Sequence, residues 1–131
     1  MFVLIPVEDT PSIIVCNTCR FSSEEREDAH GKRGGALLAE HLRKYGADVA
    51  SNEMPCLFAC SRHCSVHLRA PGKIGYVLGD FRPDDNSANA ILAFFRLYRD
   101  SEHGVVPYSQ WPEGVKGHFI VRTPPPGFTV G

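Results

Sequence analysis

Ser65-Val-His-Leu68, Ala70-Pro-Gly-Lys73 and Ile74-Gly-Tyr-Val-Leu78 follow one another with only Arg69 between them. The first alternates polar and apolar residues as a half-buried strand does. The second is a tight-turn tetrapeptide, and the third runs back as a second strand. The segment predicts an antiparallel hairpin, and the rest of the chain is placed relative to it.

Upstream, Ser12-Ile-Ile-Val15 is a β-branched run ending at Cys16, which reads as a buried strand. Residues 20–34 are polar, with Glu24, Glu25, Glu27 and Asp28 ahead of Gly31, Gly34 and Gly35, and read as a solvated loop. The glycines lack phosphate-loop spacing. Leu38, Leu42 and Tyr45 recur at i, i+4 and i+7, with Glu40 four residues before Lys44. This predicts a helix from Ala36, stopped by Gly46. Ala47-Asp-Val-Ala50 reads as a second strand.

Downstream, Phe81 to Ser87 supplies turn residues and N-caps, and Ile91, Phe94, Phe95 and Tyr98 form a helical apolar face closed by Gly104. Prolines and glycines then break up the chain. Phe119-Ile-Val121 reads as a short extension or edge strand, and Tyr108 and Trp111 as residues that pack the tail onto the sheet. The expected order is β-α-β-loop-β-β-α with an irregular C-terminal tail, an α/β class. One domain spans 1–131, with a core of about 12–104 and a tail of 105–131.

The composition agrees. The chain has 131 residues, 43% apolar and 22% charged, with a formal net charge of -1. That is one ordinary domain, too balanced in charge to be built for nucleic acid or a membrane surface. The opening Met1–Val7 is apolar but short and lacks a basic leader, so neither a signal peptide nor a membrane span is expected. A cytoplasmic location follows, where thiols stay reduced.

Five cysteines cannot all pair as disulfides. Cys16-Asn-Thr-Cys19 follows one strand; Cys56-x3-Cys60-x3-Cys64 follows another. Two thiol pairs on loops at the same sheet end can converge on one metal site, as iron–sulfur clusters and structural zinc require. The bland reading is that these are small core residues. Ligand count alone does not separate iron from zinc. Between Met54 and Gly79 there is no carboxylate, while Arg62, His63, His67, Arg69 and Lys73 all lie there, a setting that suits an anionic cluster. His63 and His67 are expected as exposed loop and strand residues rather than ligands. His30, His41, His103 and His118 show no ligand spacing.

Cys56-Leu-x-x-Cys60 followed by Val66, with this element order, resembles the thioredoxin-like [2Fe-2S] ferredoxins. Their second ligand pair sits in a Cys-Leu-Gly-Ala-Cys loop, and here Phe58 stands in place of the glycine. More closely, residues 12 to 124 resemble an uncharacterised bacterial family of predicted metal-binding proteins, domain of unknown function 1636. The matching motifs are Cys16-x-Thr-Cys19-Arg20, Cys56-Leu-x-x-Cys60-Ser-Arg-x-Cys64, Ala70-Pro-Gly-Lys73, Tyr76-Val-x-Gly79-Asp80 and Gly104-Val-Val-Pro107. The resemblance implies a thioredoxin-like fold of the ferredoxin type, with Cys16, Cys19, Cys56 and Cys60 as ligands of a [2Fe-2S] cluster. The first pair is spaced more tightly than in the ferredoxins, and Cys64 is an extra thiol and a further candidate ligand.

Three functions are carried forward. The first is an electron-transfer or cluster-binding protein, needing a redox or metal-receiving protein partner or a second copy of the chain, and no nucleic acid or membrane. The second is a zinc-binding or metal-delivery protein with Cys64 as the exchanging ligand. The third is a thiol–disulfide oxidoreductase using Cys16-x-x-Cys19. A thioredoxin expects a proline just before the strand facing its thiols, whereas Pro71 lies in the hairpin turn and Pro55 precedes a cysteine loop. Beyond the thiols no catalytic constellation is present, so an electron carrier or metal-binding protein is expected rather than an enzyme.

Overall fold

A computed structural model describes residues 3–131; Met1 and Phe2, which begin the apolar opening run, lie outside the described residues. Strands β1 (Ser12–Cys16), β2 (Ala50–Met54), β3 (Val66–Arg69), β4 (Gly75–Leu78) and β5 (Phe119–Thr123) form one sheet in the order β2-β1-β3-β4-β5. Helices α1 (Gly34–Tyr45) and α2 (Asp85–Asp100) complete a mixed α/β fold. β1 and β2 run parallel, so their connection must cross over, and α1 is that crossover. The remaining neighbours are antiparallel, including the expected β3–β4 hairpin.

The pleat divides the sheet into two unlike faces. Ile13 and Val15, Val66 and Leu68, and Tyr76 and Leu78 point to one side and are buried under α1 and α2. Leu38 and Leu42 come from α1, and Ile91, Phe94, Phe95 and Tyr98 from α2; each is 2% exposed or less. These twelve apolar strand and helix positions therefore form the core, whereas Tyr45 of the α1 stripe is only partly buried against it. Tyr76 meets Phe94, Tyr98 and Phe119 edge-on at 5.5 to 5.9 Å, and Trp111 lies 4.5 Å from Phe119. The tail is thus fastened through aromatic contacts, as expected for Trp111; Tyr108 is more than half exposed and rests on Trp111 instead.

Two boundaries differ from the sequence reading. The second strand occupies Ala50–Met54 rather than 47–50. Asp48 is held in the preceding turn by Arg96 and Arg99 of α2, so pairing with β1 starts later. The strand lies at the sheet edge and is mostly polar, which hid it from an apolar pattern. α1 begins at Gly34 rather than Ala36. Gly46 does end it, but at φ -120 rather than in the left-handed region; a Cβ there would sit 2.5 Å from Leu92. The glycine is required by close packing of the two helices. α2 is capped by Asp84, whose carboxylate accepts the Ser87 N–H at 2.8 Å. Among the described residues no helix is long and apolar enough to cross a membrane.

Candidate metal centre

The parallel β1–β2 pair ends at Cys16 and Met54, directly opposite each other, and both cysteine loops leave from that edge. Asn17 N–H still bonds to Met54 O at 3.0 Å, and Cys56 N–H turns back to the same carbonyl at 3.2 Å. Cys16 and Cys19 are therefore brought to the same end of the sheet as Cys56 and Cys60. The far end of the second loop is pinned to the end of β4. Arg62 Nε donates to Asp80 Oδ2 at 2.6 Å, and Asp80 N–H to Arg62 O at 3.0 Å.

Each pair is preformed. Cys56 and Cys60 have Sγ atoms 3.7 Å apart as free thiols. Two thiolates on one tetrahedral metal, with metal–sulfur bonds of about 2.3 Å, stand about 3.8 Å apart. The Phe58 N–H points at Cys56 Sγ at 3.3 Å. In the first pair, contact with Cys19 brings the Cys16 thiol down to about 5 against the opposing effect of burial, helped by hydrogen bonds from the Leu57 backbone and from Thr18. Cys19 is pushed up, first by that same contact and then by burial, while the Ser65 hydroxyl and backbone N–H work the other way. The Leu57 contact matters most for the geometry, because Leu57 belongs to the Cys56–Cys60 loop. The two loops meet at Cys16.

The pairs differ in exposure. Cys16 and Cys19 are 2% and 5% exposed, Cys56 is half-buried and Cys60 is exposed. Cys60 is pushed up by its hydrogen bond and charge interaction with Cys56. Among the described residues no three His, Cys, Asp or Glu side chains gather round a single ion position. The arrangement is two pairs, side by side.

Cys64 is placed elsewhere. It is fully buried, its thiol directed at Arg20 O at 3.7 Å, and burial pushes it up to about 12, assisted by the Cys16 charge. Its sulfur packs where the start of α1 passes the first loop. His63 and His67, expected to be exposed, are both half-buried, and His63 Nδ1 is sealed from solvent with no hydrogen-bond partner among the described residues.

Several residues that shape the site escaped the sequence reading. Gly34 and Gly35, taken as loop glycines, are where α1 presses on the first cysteine loop. A Cβ on Gly35 would fall 1.8 Å from Cys16 O, and one on Gly34 would fall 2.2 Å from Arg20 O and 2.9 Å from Cys64 Sγ. Gly35 N–H also donates to Cys19 O at 3.3 Å. The pair of adjacent glycines at a helix start was the available signal. Ser65 is buried with its hydroxyl 3.4 Å from Cys19 Sγ, and its carbonyl accepts the Cys16 N–H. Phe58, in place of a glycine, adopts φ +59, and Cys56 adopts φ +103. Left-handed backbone at non-glycine residues is strained.

No curated protein and no solved structure matches the chain. A family model described as Protein of unknown function (DUF1636) matches residues 13–125, which include both cysteine loops and all five strands apart from the first residue of β1. The chain belongs to that family.

Proposed function

We propose that this protein binds a [2Fe-2S] cluster through Cys16, Cys19, Cys56 and Cys60 and serves in electron transfer, on a thioredoxin-like scaffold of the ferredoxin type. The observation that carries this is the Met54 carbonyl, which accepts from Asn17 N–H of the first cysteine loop and from Cys56 N–H of the second and so holds the two thiol pairs at one sheet edge. A mononuclear zinc site needs four ligands round one point. A two-iron cluster needs two thiolates on each iron, which is the division the side chains already have. When bound, such a cluster supplies a one-electron couple.

This chain's own residues then have defined tasks. Cys16 and Cys19 anchor the buried side, and Cys56 and Cys60 the side nearer solvent. The N–H groups of Leu57 and Phe58 and the Ser65 hydroxyl donate to thiolate sulfur, which offsets negative charge. Met54 to Gly79 contains no carboxylate to oppose it. Strand order β2-β1-β3-β4 with α1 as crossover supports the thioredoxin-like assignment. Cys60 and the 95% exposed Phe58 offer the access a redox or metal-receiving protein partner needs. The reduced, unpaired thiols suit the cytoplasm. Protein purified without oxygen should be brown, with about two irons and two acid-labile sulfides per chain. A colourless preparation holding stoichiometric zinc would overturn the proposal in favour of the zinc-binding alternative.

The unequal acidity of Cys16 and Cys19 favours a second reading, a thiol–disulfide oxidoreductase. Against it stands access: Cys16, the ionised thiol, and Cys19 are both buried. Cys16-dependent reduction of a protein disulfide by the metal-free chain would establish it.

A further inference from the structure

The sheet face away from the helices carries His67 and Arg69 of β3, Gly75 and Val77 of β4, and Val121 and Thr123 of β5. On it lies a cavity of about 480 Å³, remote from the cysteines in the fold, lined by His67, Arg69, Gly75 and Thr123 and walled by segments 7–10 and 124–126. Cavities of a few hundred cubic ångströms hold small organic ligands.

Its floor is Gly75. A Cβ there would sit 2.7 Å from Thr123 Oγ1 and 3.1 Å from His67 Nε2, so both polar atoms lean over the space the missing side chain leaves. Arg69 is close enough for its charge to act on the His67 ring. Three hydrogen-bonding side chains on two strands therefore converge above a bare stretch of a third. None has an ion pair or side-chain hydrogen bond among the described residues, and none of their polar atoms is sealed from solvent as His63 Nδ1 is. The neighbouring Lys73 is different: its ammonium already serves the carbonyls of Tyr98 and Arg99 at the end of α2.

We propose that this cavity is a binding site for a small organic monocarboxylate. The Arg69 guanidinium presents a fork that matches two carboxylate oxygens. The Thr123 hydroxyl and the neutral His67 imidazole each have a proton to donate. Val7, Pro71 and Pro125 give an apolar wall for the body of the ligand. Glu8 and Asp9 line the same cavity and repel a second negative charge, so the far end of the ligand is neutral or cationic. The site is independent of the metal centre.

The test is a titration of the full chain with butyrate, 4-aminobutyrate, succinate and inorganic phosphate, followed by the NMR signals of the His67 imidazole. Butyrate and 4-aminobutyrate should give saturable shifts, with succinate and phosphate at least tenfold weaker. Arg69→Gln and Thr123→Val should each weaken butyrate at least tenfold while leaving the far-ultraviolet circular dichroism unchanged. Glu8→Gln with Asp9→Asn should admit succinate. No saturable shift from either monocarboxylate at tens of millimolar would overturn the site. Equal binding of phosphate, or unchanged butyrate affinity in Arg69→Gln, would overturn the ligand class.

Discussion

Ser65 Oγ, just before β3, lies 3.4 Å from the Sγ of Cys19 in the loop after β1, and both residues are buried. Ser65 also accepts the Cys16 N–H through its carbonyl at 3.1 Å. One residue thus fixes both members of the first thiol pair, and its hydroxyl faces the sulfur that burial and Cys16 make hardest to ionise. Ser65→Ala should destabilise the metal-free protein by about 1 kcal/mol, the usual net worth of a buried hydrogen bond. It should also lower the reduction potential of the loaded protein, because the lost O–H donor stabilised the more negative state. A tenfold change in the one-electron equilibrium is about 59 mV. Urea titration and a redox titration check the two effects, and a variant unchanged in both would remove Ser65 from the site.

Cys64 is fully buried behind Gly34, with its thiol directed at Arg20 O, and on the proposed reading it packs rather than ligates. Cys64→Ala should retain the full iron and sulfide content while losing about 1–2 kcal/mol, from a small cavity where α1 passes the first loop. Cys60→Ser in parallel should lose or alter the metal. Metal loss in Cys64→Ala at unchanged thermal stability would return Cys64 to the ligand set.

Gly35 admits no side chain, since its Cβ would fall 1.8 Å from Cys16 O. Gly35→Ala must move either the helix or the cysteine loop, at a cost of about 3 kcal/mol or more. Thermal unfolding reads the loss, and metal content reads whether the loop moved. Wild-type behaviour in both would contradict this close approach.

The acidity of Cys16 gives the metal-free protein a pH signature. Its folded value of about 5 lies below the ordinary thiol value of 9.0, so the unfolded state binds the extra proton. The ionised thiol therefore contributes stability that is fully present above pH 9 and lost as the pH falls through about 5. Cys19 is shifted the opposite way, and opposes this only above pH 9. Between pH 5 and 9 the urea midpoint should rise with pH, in step with thiolate absorbance near 240 nm, and Cys16→Ser should flatten both. An absorbance step near 9 alone would show that Cys16 is an ordinary thiol.

Phe58 is 95% exposed at φ +59, so its ring loses little packing if removed, while its backbone is strained. Phe58→Gly should stabilise the chain by about 1 kcal/mol, the left-handed penalty less the added freedom of the unfolded glycine. A drop in stability would mean that the ring makes contacts this geometry does not contain.

Periodicity in the sequence was enough for the hairpin, for both helices and for the buried face of α2, because each buries one side against a single core. Ile91, Phe94, Phe95 and Tyr98 repeat where a helix must repeat to meet a sheet. β2 was misplaced because an edge strand of Ala-Ser-Asn-Glu-Met carries no apolar alternation; its position is set by pairing with β1 and by the clamp on Asp48. The x2 and x3 spacings of the cysteines singled out two sets of thiols, since residues a few positions apart in a loop stay close wherever the loop goes. Spacing is local, however, and carries no information on which thiol faces inward. Only the tertiary structure separated Cys64 from the other four, by burying it behind Gly34. It alone brought Ser65 to Cys19 and Leu57 to Cys16, contacts between residues about forty positions apart that exist only once β1 pairs with its neighbours.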